Sequence, residues 1–404
     1  MPDVVIIGGG VIGAACASEL TRRGASVTLV ERDELAAHAS GRNQGLWVHP
    51  EDGATVPMAT RSLARYLAIA SDAPIDIQLD PEPVGLVMVA RGDDELPAAR
   101  HAAGVAERAG TRVDPLDAGQ LAEIEPALSP TVAGAWLVHH GHRLDPGALT
   151  VAMALEARGL GAEIRHHTNA RALAVRGDRV VGAITDDGVL EADVTVVAGG
   201  PWSSRLLVPV GVSIPVVGAR GWLVRVVPPP GLVHHLVEAV AAHAALRQGH
   251  PAGLPTAGEI AEAGFPPDVL GTIMHPHRDG TVLVGSSRQT SLAPEPEDAT
   301  VVRRLLAAAI ELAPALAHAT VRSSWWGIRP LSPDERPFVG QVRDGLFVAT
   351  GHGSEGVILG AGTAELLGAQ IAGEAPPFDP APFEPLRFLR GLGSADARTD
   401  GSPS

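Results

Sequence analysis

Three glycines and one acid near the start of the chain have the types and spacing that phosphate binding requires. Gly8, Gly10 and Gly13 follow an apolar run at residues 4–7 and precede a helix-compatible stretch at residues 14–23. The first glycine of such a turn permits a tight bend, the second lets the backbone approach a pyrophosphate, and the third lets helix and strand pack closely. Glu31 ends the next apolar run, where its carboxylate can hydrogen-bond a ribose hydroxyl. The pattern predicts a dinucleotide site and leaves NAD and FAD open.

A second group of residues that could do chemistry lies near the C-terminus. Arg329 stands among apolar and ring residues in the Gly- and Pro-rich segment 325–340, which we expect to form a shaped loop rather than a helix. An Arg in such surroundings can bind a substrate carboxylate through two parallel hydrogen bonds. The alternative is a structural Arg paired with Asp334 or another acid, and the residues alone favour neither.

The turn at residues 350–356 joins an apolar run to the last predicted helix and contains His352. Its backbone N–H groups could stabilise negative charge that develops on a cofactor ring. His352 could point into the same site as a catalytic residue. The alternative is that His352 only shapes the turn, and the sequence alone favours that alternative.

These residues need a sheet and helices to bring them together. Rossmann-type strand and helix patterns occur at the start, in the middle and at the end of the chain. We therefore predict an α/β fold with a discontinuous Rossmann-type cofactor domain at residues 1–82, 144–206 and 324–376. The inserted substrate domain, of α+β type with a mostly antiparallel sheet, is expected at residues 83–143 and 207–323. Residues 228–267 are expected to be an irregular insertion, and residues 377–404 a C-terminal tail.

Composition restricts the partners and the chemistry. The net charge is −15 and every basic residue is Arg, which argues against nucleic acid or an anionic membrane as a partner. The single cysteine, Cys16, excludes a disulfide within the chain and a cysteine-based metal site. None of the 16 histidines has the spacing of a metal site, so no metal is expected. No apolar run is long enough to span a bilayer, and a cytoplasmic location is expected.

Four separated motifs, taken in order, resemble the D-amino-acid oxidase-like (DAO) superfamily of FAD-dependent oxidoreductases over residues 3–375. That group contains glycine oxidase, sarcosine oxidase, D-amino-acid dehydrogenase and the hydrogen cyanide synthase subunits. The motifs are Gly8 to Glu31, Ser40 through Asn43 to Gly45, Asp193 through Ala198 to Ser203, and Gly327-Ile328-Arg329-Pro330 with Asp334, Gly340, Gly351, His352 and Gly356.

The resemblance implies that the cofactor is FAD and that residues from all four motifs hold it. The implied cofactor-binding residues are Gly8, Gly10, Val11, Ile12, Gly13, Glu31, Arg32, Ser40, Gly41, Arg42, Asn43, Gln44, Gly45, Leu46, Ala170, Ala198, Gly199, Gly200, Trp202, Gly327, Arg329, Gly351, His352, Gly353, Ser354, Gly356, Val357 and Ile358. Sarcosine-type oxidases tether FAD through a cysteine near the C-terminal motif, and none lies there in this chain. The FAD is therefore expected to be non-covalent.

The resemblance also implies a reaction and its substrate site. Arg329 would anchor a substrate carboxylate, and Trp47, Trp222, Met274 and His275 are expected to line the substrate pocket. The implied reaction oxidises the C–N bond of a small amine or amino acid by hydride transfer to flavin N5, and the resulting imine hydrolyses. O2, a quinone or a redox protein would accept the electrons, and a homo- or hetero-oligomer is possible. The alternatives are an FAD-dependent 2-hydroxy-acid dehydrogenase and the flavin subunit of a multi-subunit amine or opine dehydrogenase.

Overall fold

The computed structural model describes residues 2–240, 269–289 and 299–388. Its strands are β1 Asp3–Ile7, β2 Ser26–Val30, β3 Leu46–Trp47, β4 Leu86–Ala90, β5 Val113–Leu116, β6 Gly134–Val138, β7 His142–Arg143, β8 Glu163–Arg165, β9 Ala170–Arg176, β10 Arg179–Thr185, β11 Gly188–Glu191, β12 Val194–Val197, β13 Val217–Val227, β14 Leu236–Ala239, β15 Val269–Pro276, β16 Val282–Arg288, β17 Thr320–Leu331, β18 Phe338–Arg343 and β19 Leu346–Thr350. Its α-helices are α1 Val11–Arg22, α2 Val56–Asp72, α3 Leu96–Arg108, α4 Ala118–Ile124, α5 Pro146–Gly159, α6 Ser203–Leu207, α7 Ala299–Leu312 and α8 Gly356–Ala372.

A six-stranded sheet with the order β18-β19-β12-β1-β2-β8 carries the N-terminal glycine turn. Its strands run parallel except for β18, and β1 lies between β2 and β12. Side chains alternate between the two faces of a strand, so Val4 and Ile6 face the helices whereas Val5 and Ile7 face the opposite side. Both faces are covered, which explains why β1 is apolar from Val4 to Ile7.

Helices α1, α2, α5 and α8 pack together on one face of this sheet. The three-stranded sheet β11-β10-β9 and helix α6 supply apolar side chains to the other face. The turn after β1, the turn after β12 and the turn after β19 therefore open at the same edge. This edge brings residues more than 300 positions apart in the sequence into one site.

An eight-stranded sheet with the order β17-β13-β16-β15-β14-β4-β6-β5 forms the second half of the molecule. Its neighbours are antiparallel except for β14 and β4. Helix α7 packs on one face, where Trp222, Val224 and Met274 are buried against Leu305 and Leu312. Helix α3 covers the β4 and β6 end of the sheet with Ala99 and Ala103.

The predicted α/β fold, with a Rossmann-type sheet and separate, mostly antiparallel sheets, is confirmed. The prediction of a shaped loop over residues 325–340 is wrong for the first half of that segment, because β17 extends through residue 331. Strand β17 pairs with β13 along its whole length, with Gly327 opposite Gly221, so tertiary pairing outweighs the loop-forming composition. Residues 324–331, which the sequence assigned to the cofactor domain, therefore lie in the eight-stranded sheet.

Two other predicted segments are described in part. Residues 236–239 of the predicted insertion form β14, and its residues 241–267 lie outside the described residues. The first part of the predicted tail packs on the protein, since Phe383 is buried and Arg387 pairs with Asp334. Residues 389–404 lie outside the described part. No helix in the described ranges is long and apolar enough to cross a membrane.

Candidate active site

A cavity of about 450 Å³ opens at the edge of the six-stranded sheet where β1, β12 and β19 end. We call it the cofactor cavity. Most of the cofactor-binding residues predicted from the sequence line it, namely Gly8, Gly10, Val11, Ile12, Glu31, Arg32, Ser40, Asn43, Ala170, Ala198, Gly199, Gly200, Trp202, Arg329, His352, Gly353, Ser354, Gly356 and Val357. The lining residues that the sequence analysis missed include His38, Thr168, Asn169, Arg171, Arg205 and Thr350.

The glycine turn is shaped for a phosphate group. Gly8 has a φ of +119°, which favours glycine, and a Cβ on Gly13 would overlap the carbonyl oxygen of Gly8. A Cβ on Gly10 would have one close neighbour, the Ser40 side chain, so the space beside the Gly10 backbone is otherwise open. The Val11 N–H at the start of α1 donates to Ser40 Oγ at 2.8 Å. A helix N-terminus with a hydroxyl beside it suits a pyrophosphate.

Glu31 and Arg32 form the end of the cavity where an adenosine would bind. The Glu31 carboxylate is largely buried and accepts the N–H of Gly9 at 2.6 Å and of Asp33 at 2.9 Å. These bonds fix the carboxylate at the mouth of the turn, where a ribose hydroxyl can reach it. The Arg32 guanidinium lies 4.1 Å from the centre of the Trp202 ring.

The other end of the cavity is suited to a flavin ring. Asn43 fixes the loop between β2 and β3, because its Nδ2 donates to the Ser40 carbonyl at 2.7 Å and its Oδ1 accepts the Gly45 N–H. Helix α8 begins at Gly356, so its free N–H groups face the cavity next to Ser354. Together with the glycine turn and Glu31, these groups fit FAD.

A second cavity of about 180 Å³ adjoins the first, and we call it the substrate cavity. Six further predicted cofactor residues line it, namely Arg42, Gln44, Gly45, Leu46, Gly327 and Ile358. Gly13, Gly41 and Gly351 line neither cavity but support the surrounding turns, since a Cβ on each would meet a neighbouring residue closely. The two cavities share five lining residues, namely Ala39, Asn43, Arg329, Ser354 and Val357.

Arg329 spans the junction of the two cavities. Its Nη1 donates to the Ser287 carbonyl at 3.0 Å, and the guanidinium occupies space that Gly221 leaves free, because a Cβ on Gly221 would overlap Nη1. Burial, together with the positive charge of Arg288, lowers the pKa of Arg329 to about 10. The guanidinium is therefore still protonated at neutral pH.

Arg329 has no carboxylate partner among the described residues. Asp334, the candidate partner in the sequence, instead accepts two hydrogen bonds from Arg387, at 2.9 Å and 2.7 Å. The structure thus contradicts a structural Arg329–Asp334 pair. A half-buried guanidinium that faces two cavities without an acid partner is suited to bind an anion from outside the chain.

Six polar residues of the substrate cavity were missed by the sequence analysis, namely His49, Glu238, Ser286, Arg288, Glu335 and Glu355. Arg288 is almost fully buried and pairs with Glu335 at 3.0 Å. Glu335 has a φ of +57°, which is rare for a residue other than glycine. These residues come from β14, β16, two loops and the turn before α8, and no single local motif contains them all.

His352 lines the cofactor cavity, but it is buried and its Nε2 lies 3.0 Å from Thr363 Oγ1. Burial lowers the pKa of His352 to about 3. The imidazole is therefore neutral at physiological pH. The burial of the ring and its contact with Thr363 favour a role in holding the turn.

The depressed pKa of His352 predicts a pH effect on stability. An unfolded chain takes up a proton on this histidine near its ordinary pKa of 6.5, whereas the folded chain does not until about pH 3. Stability is therefore fully present above pH 6.5 and falls as the pH drops, by about 2 kcal/mol for one such group between neutral pH and pH 5. Chemical denaturation at both pH values should show a smaller fall for His352→Gln than for the unsubstituted protein. An equal fall would contradict this interpretation.

The four residues predicted to line the substrate pocket lie elsewhere. Trp222 and Met274 are buried in the core against α7, because side chains alternate along β13 and β15. Their neighbours Gly221, Leu223 and Ile273 line the substrate cavity instead.

Trp47 and His275 are fully buried. Trp47 donates its indole N–H to the Ile358 carbonyl at 3.3 Å, which ties β3 to the first turn of α8. His275 stacks on His277 with ring centres 4.5 Å apart. Neither residue lines a cavity described above.

Known proteins resemble this chain over nearly its whole length. A family model described as DAO, FAD dependent oxidoreductase, matches residues 3–370. The glycine oxidase of Pseudomonas aeruginosa is 30% identical over 398 residues, which cover 96% of this chain and 99% of the relative. The crystal structure of glycine oxidase from Geobacillus kaustophilus matches with a TM-score of 0.82 at 28% identity, covering 96% of this chain and 98% of that one. A 4-methylaminobutanoate oxidase (formaldehyde-forming) of Paenarthrobacter nicotinovorans is 28% identical over 95% of this chain and 45% of its own length.

Proposed function

This chain belongs to the DAO family of FAD-dependent oxidoreductases, and from that membership we propose that it oxidises the C–N bond of a small amino acid or secondary amine that carries a carboxylate. FAD is its cofactor, and amino compounds are the class of substrate on which it acts. We add that the substrate carries a carboxylate and that Arg329 binds this carboxylate beside the ring end of the cofactor cavity.

The observation that carries the proposal is the position of Arg329. Its guanidinium faces both cavities, remains charged at neutral pH and has no acid partner in the described part of the chain. A carboxylate placed against it would lie beside the ring end of the cofactor cavity. Both relatives named for their substrates, glycine oxidase and 4-methylaminobutanoate oxidase, act on amino compounds that bear a carboxylate.

Each residue of the site then has a defined task. Arg329 holds the carboxylate and so orients the carbon that bears the amine toward the flavin. FAD, when bound, supplies the chemistry by accepting a hydride from that carbon. Leu223, Ile273 and Ile358 give the substrate cavity apolar walls that exclude water. The N-terminus of α8 offers N–H groups to negative charge on the ring, and neutral His352 supports that turn.

The cofactor is proposed to be held without a covalent bond. Cys16, the only cysteine of the chain, is buried within α1, and burial raises the pKa of its thiol to about 12. The segments that line the ring end of the cofactor cavity therefore offer no thiol for a tether.

An anaerobic substrate panel tests the proposal and separates it from the 2-hydroxy-acid dehydrogenase alternative. The purified holoenzyme is mixed under nitrogen with glycine, N-methylglycine and D- and L-alanine, and separately with glycolate and lactate. We expect the amino acids to bleach the visible absorption of the bound flavin and the hydroxy acids to leave it unchanged. Bleaching by hydroxy acids alone, or by no member of the panel, would contradict the proposal.

A further inference from the structure

A third cavity of about 60 Å³ lies under α3, next to the substrate cavity. We call it the side cavity. It shares Val48, His49, Pro50 and Glu238 with the substrate cavity, so the two adjoin along one wall. The mechanism described above makes no use of this space.

The two cavities follow the same sheet from strand to strand. The substrate cavity has lining residues on β17, β13, β16, β15 and β14, and the side cavity continues on β14, β4 and β6. The Arg329 guanidinium reaches over β16, where it contacts the Ser287 carbonyl. Two strand steps separate β16 from Glu238 on β14, a distance of about 10 Å. A substrate as short as glycine cannot reach from Arg329 to the side cavity.

The walls of the side cavity are mostly apolar. Strands β4 and β6 and the residue after β14 supply Leu86, Met88, Val138 and Val240. Helix α3 and the residue that follows it supply Ala102, Val105, Ala106 and Ala109. His140 also lines it, and burial beside His49 and His142 lowers the pKa of His140 to about 3, so this ring is uncharged at neutral pH. Glu51 and Glu238 at its edge disfavour a second carboxylate there.

We propose that the substrate carries an uncharged, apolar substituent of several carbon atoms, which occupies the side cavity while Arg329 holds the carboxylate. This inference rests on the proposed amine oxidation. The substituent extends either from the carbon that bears the amine or from the amine nitrogen. Its burial against the α3 alanines supplies binding energy that a glycine-sized substrate lacks.

Chain length in the substrate is the variable that tests the inference. The rate of flavin reduction under nitrogen, divided by the dissociation constant, is measured for glycine with N-methyl, N-propyl and N-pentyl groups, and for alanine, norvaline and norleucine. Each methylene that enters the side cavity should raise this value about fourfold. The series that shows the rise tells whether the substituent extends from nitrogen or from carbon. A flat response in both series would overturn the inference.

Substitutions in α3 provide matched controls. Ala106→Phe fills the side cavity and should abolish the gain with chain length. Glu107→Phe adds the same ring at an exposed position of α3 and should leave the gain intact. Val105→Ala enlarges the cavity and should move the optimum to a longer chain, which keeps the test valid if Ala106→Phe does not fold.

Four further outcomes are decisive. An unchanged length preference in both Ala106→Phe and Val105→Ala would overturn the inference. A preference for chains that end in an ammonium group over equally long alkyl chains would also overturn it, because the occupant would then be recognised by Glu51 and Glu238. Failure of every amine to reduce the flavin would refute the proposed function itself, whereas reduction by short amines alone would refute only this inference.

Discussion

Replacing Arg329 by Ala is expected to lower kcat/KM for a carboxylate-bearing amine by about 30- to 5,000-fold, which corresponds to a loss of about 2–5 kcal/mol. The variant leaves the substrate carboxylate in a cavity without its charge partner. The substitution also removes the bidentate hydrogen bonds to the carboxylate that orient the reacting carbon. Arg329→Lys should recover part of the loss, since an ammonium restores the charge but not the planar geometry.

The control for this variant is Arg322→Ala. Arg322 lies on the same strand, β17, but is exposed and remote from both cavities. Its removal should leave kinetics and FAD content unchanged. Because Arg329 also lines the cofactor cavity, bound FAD must be measured for each variant. Unchanged kinetics in Arg329→Ala with a full complement of FAD would refute the assignment of the carboxylate anchor.

Gly13→Ala is expected to yield protein that is purified without FAD and is less stable by about 1–3 kcal/mol or more. The added Cβ would overlap the carbonyl oxygen of Gly8, a backbone atom that cannot move aside without opening the phosphate turn. Helix α1 would have to shift away from β1. The FAD-to-protein ratio and thermal denaturation measure both consequences.

Gly159→Ala is the matched control for Gly13→Ala. Gly159 is the last residue of α5, and a Cβ there meets no heavy atom within 4 Å. This variant should keep its FAD and be as stable as the original protein or slightly more stable. Normal FAD content in Gly13→Ala would show that the turn does not have the tight geometry described above.

Local patterns were sufficient to predict most of the segments that meet at the cofactor cavity. The glycine turn and Glu31 depend on backbone geometry within one strand–turn–helix unit, so the sequence specified them directly. The strand that ends at Val197 and the turn at residues 350–356 were likewise recognisable from their residues. Their arrangement at one edge of the sheet follows from the parallel order of β1, β12 and β19.

The substrate end could not be read in the same way. Whether Trp222 or Gly221 faces the cavity depends on the register of β13 against its neighbours, and a one-residue difference exchanges the two faces. Arg288, Glu238 and His49 come from three separate segments and meet only in the folded chain. The partner of Asp334 was equally hidden, because Arg387 lies in a segment that the sequence presented as a tail.

The most direct test of the central claim is the rate at which the wild-type holoenzyme loses its oxidised-flavin absorption under nitrogen with its most reactive amino acid. The same measurement is made with deuterium on the carbon that bears the amine. Breaking that C–H bond during flavin reduction predicts bleaching that is slower with deuterium, with one carbonyl product formed for each flavin reduced. Absence of bleaching by every carboxylate-bearing amine, or a product that retains its C–N bond, would contradict the account.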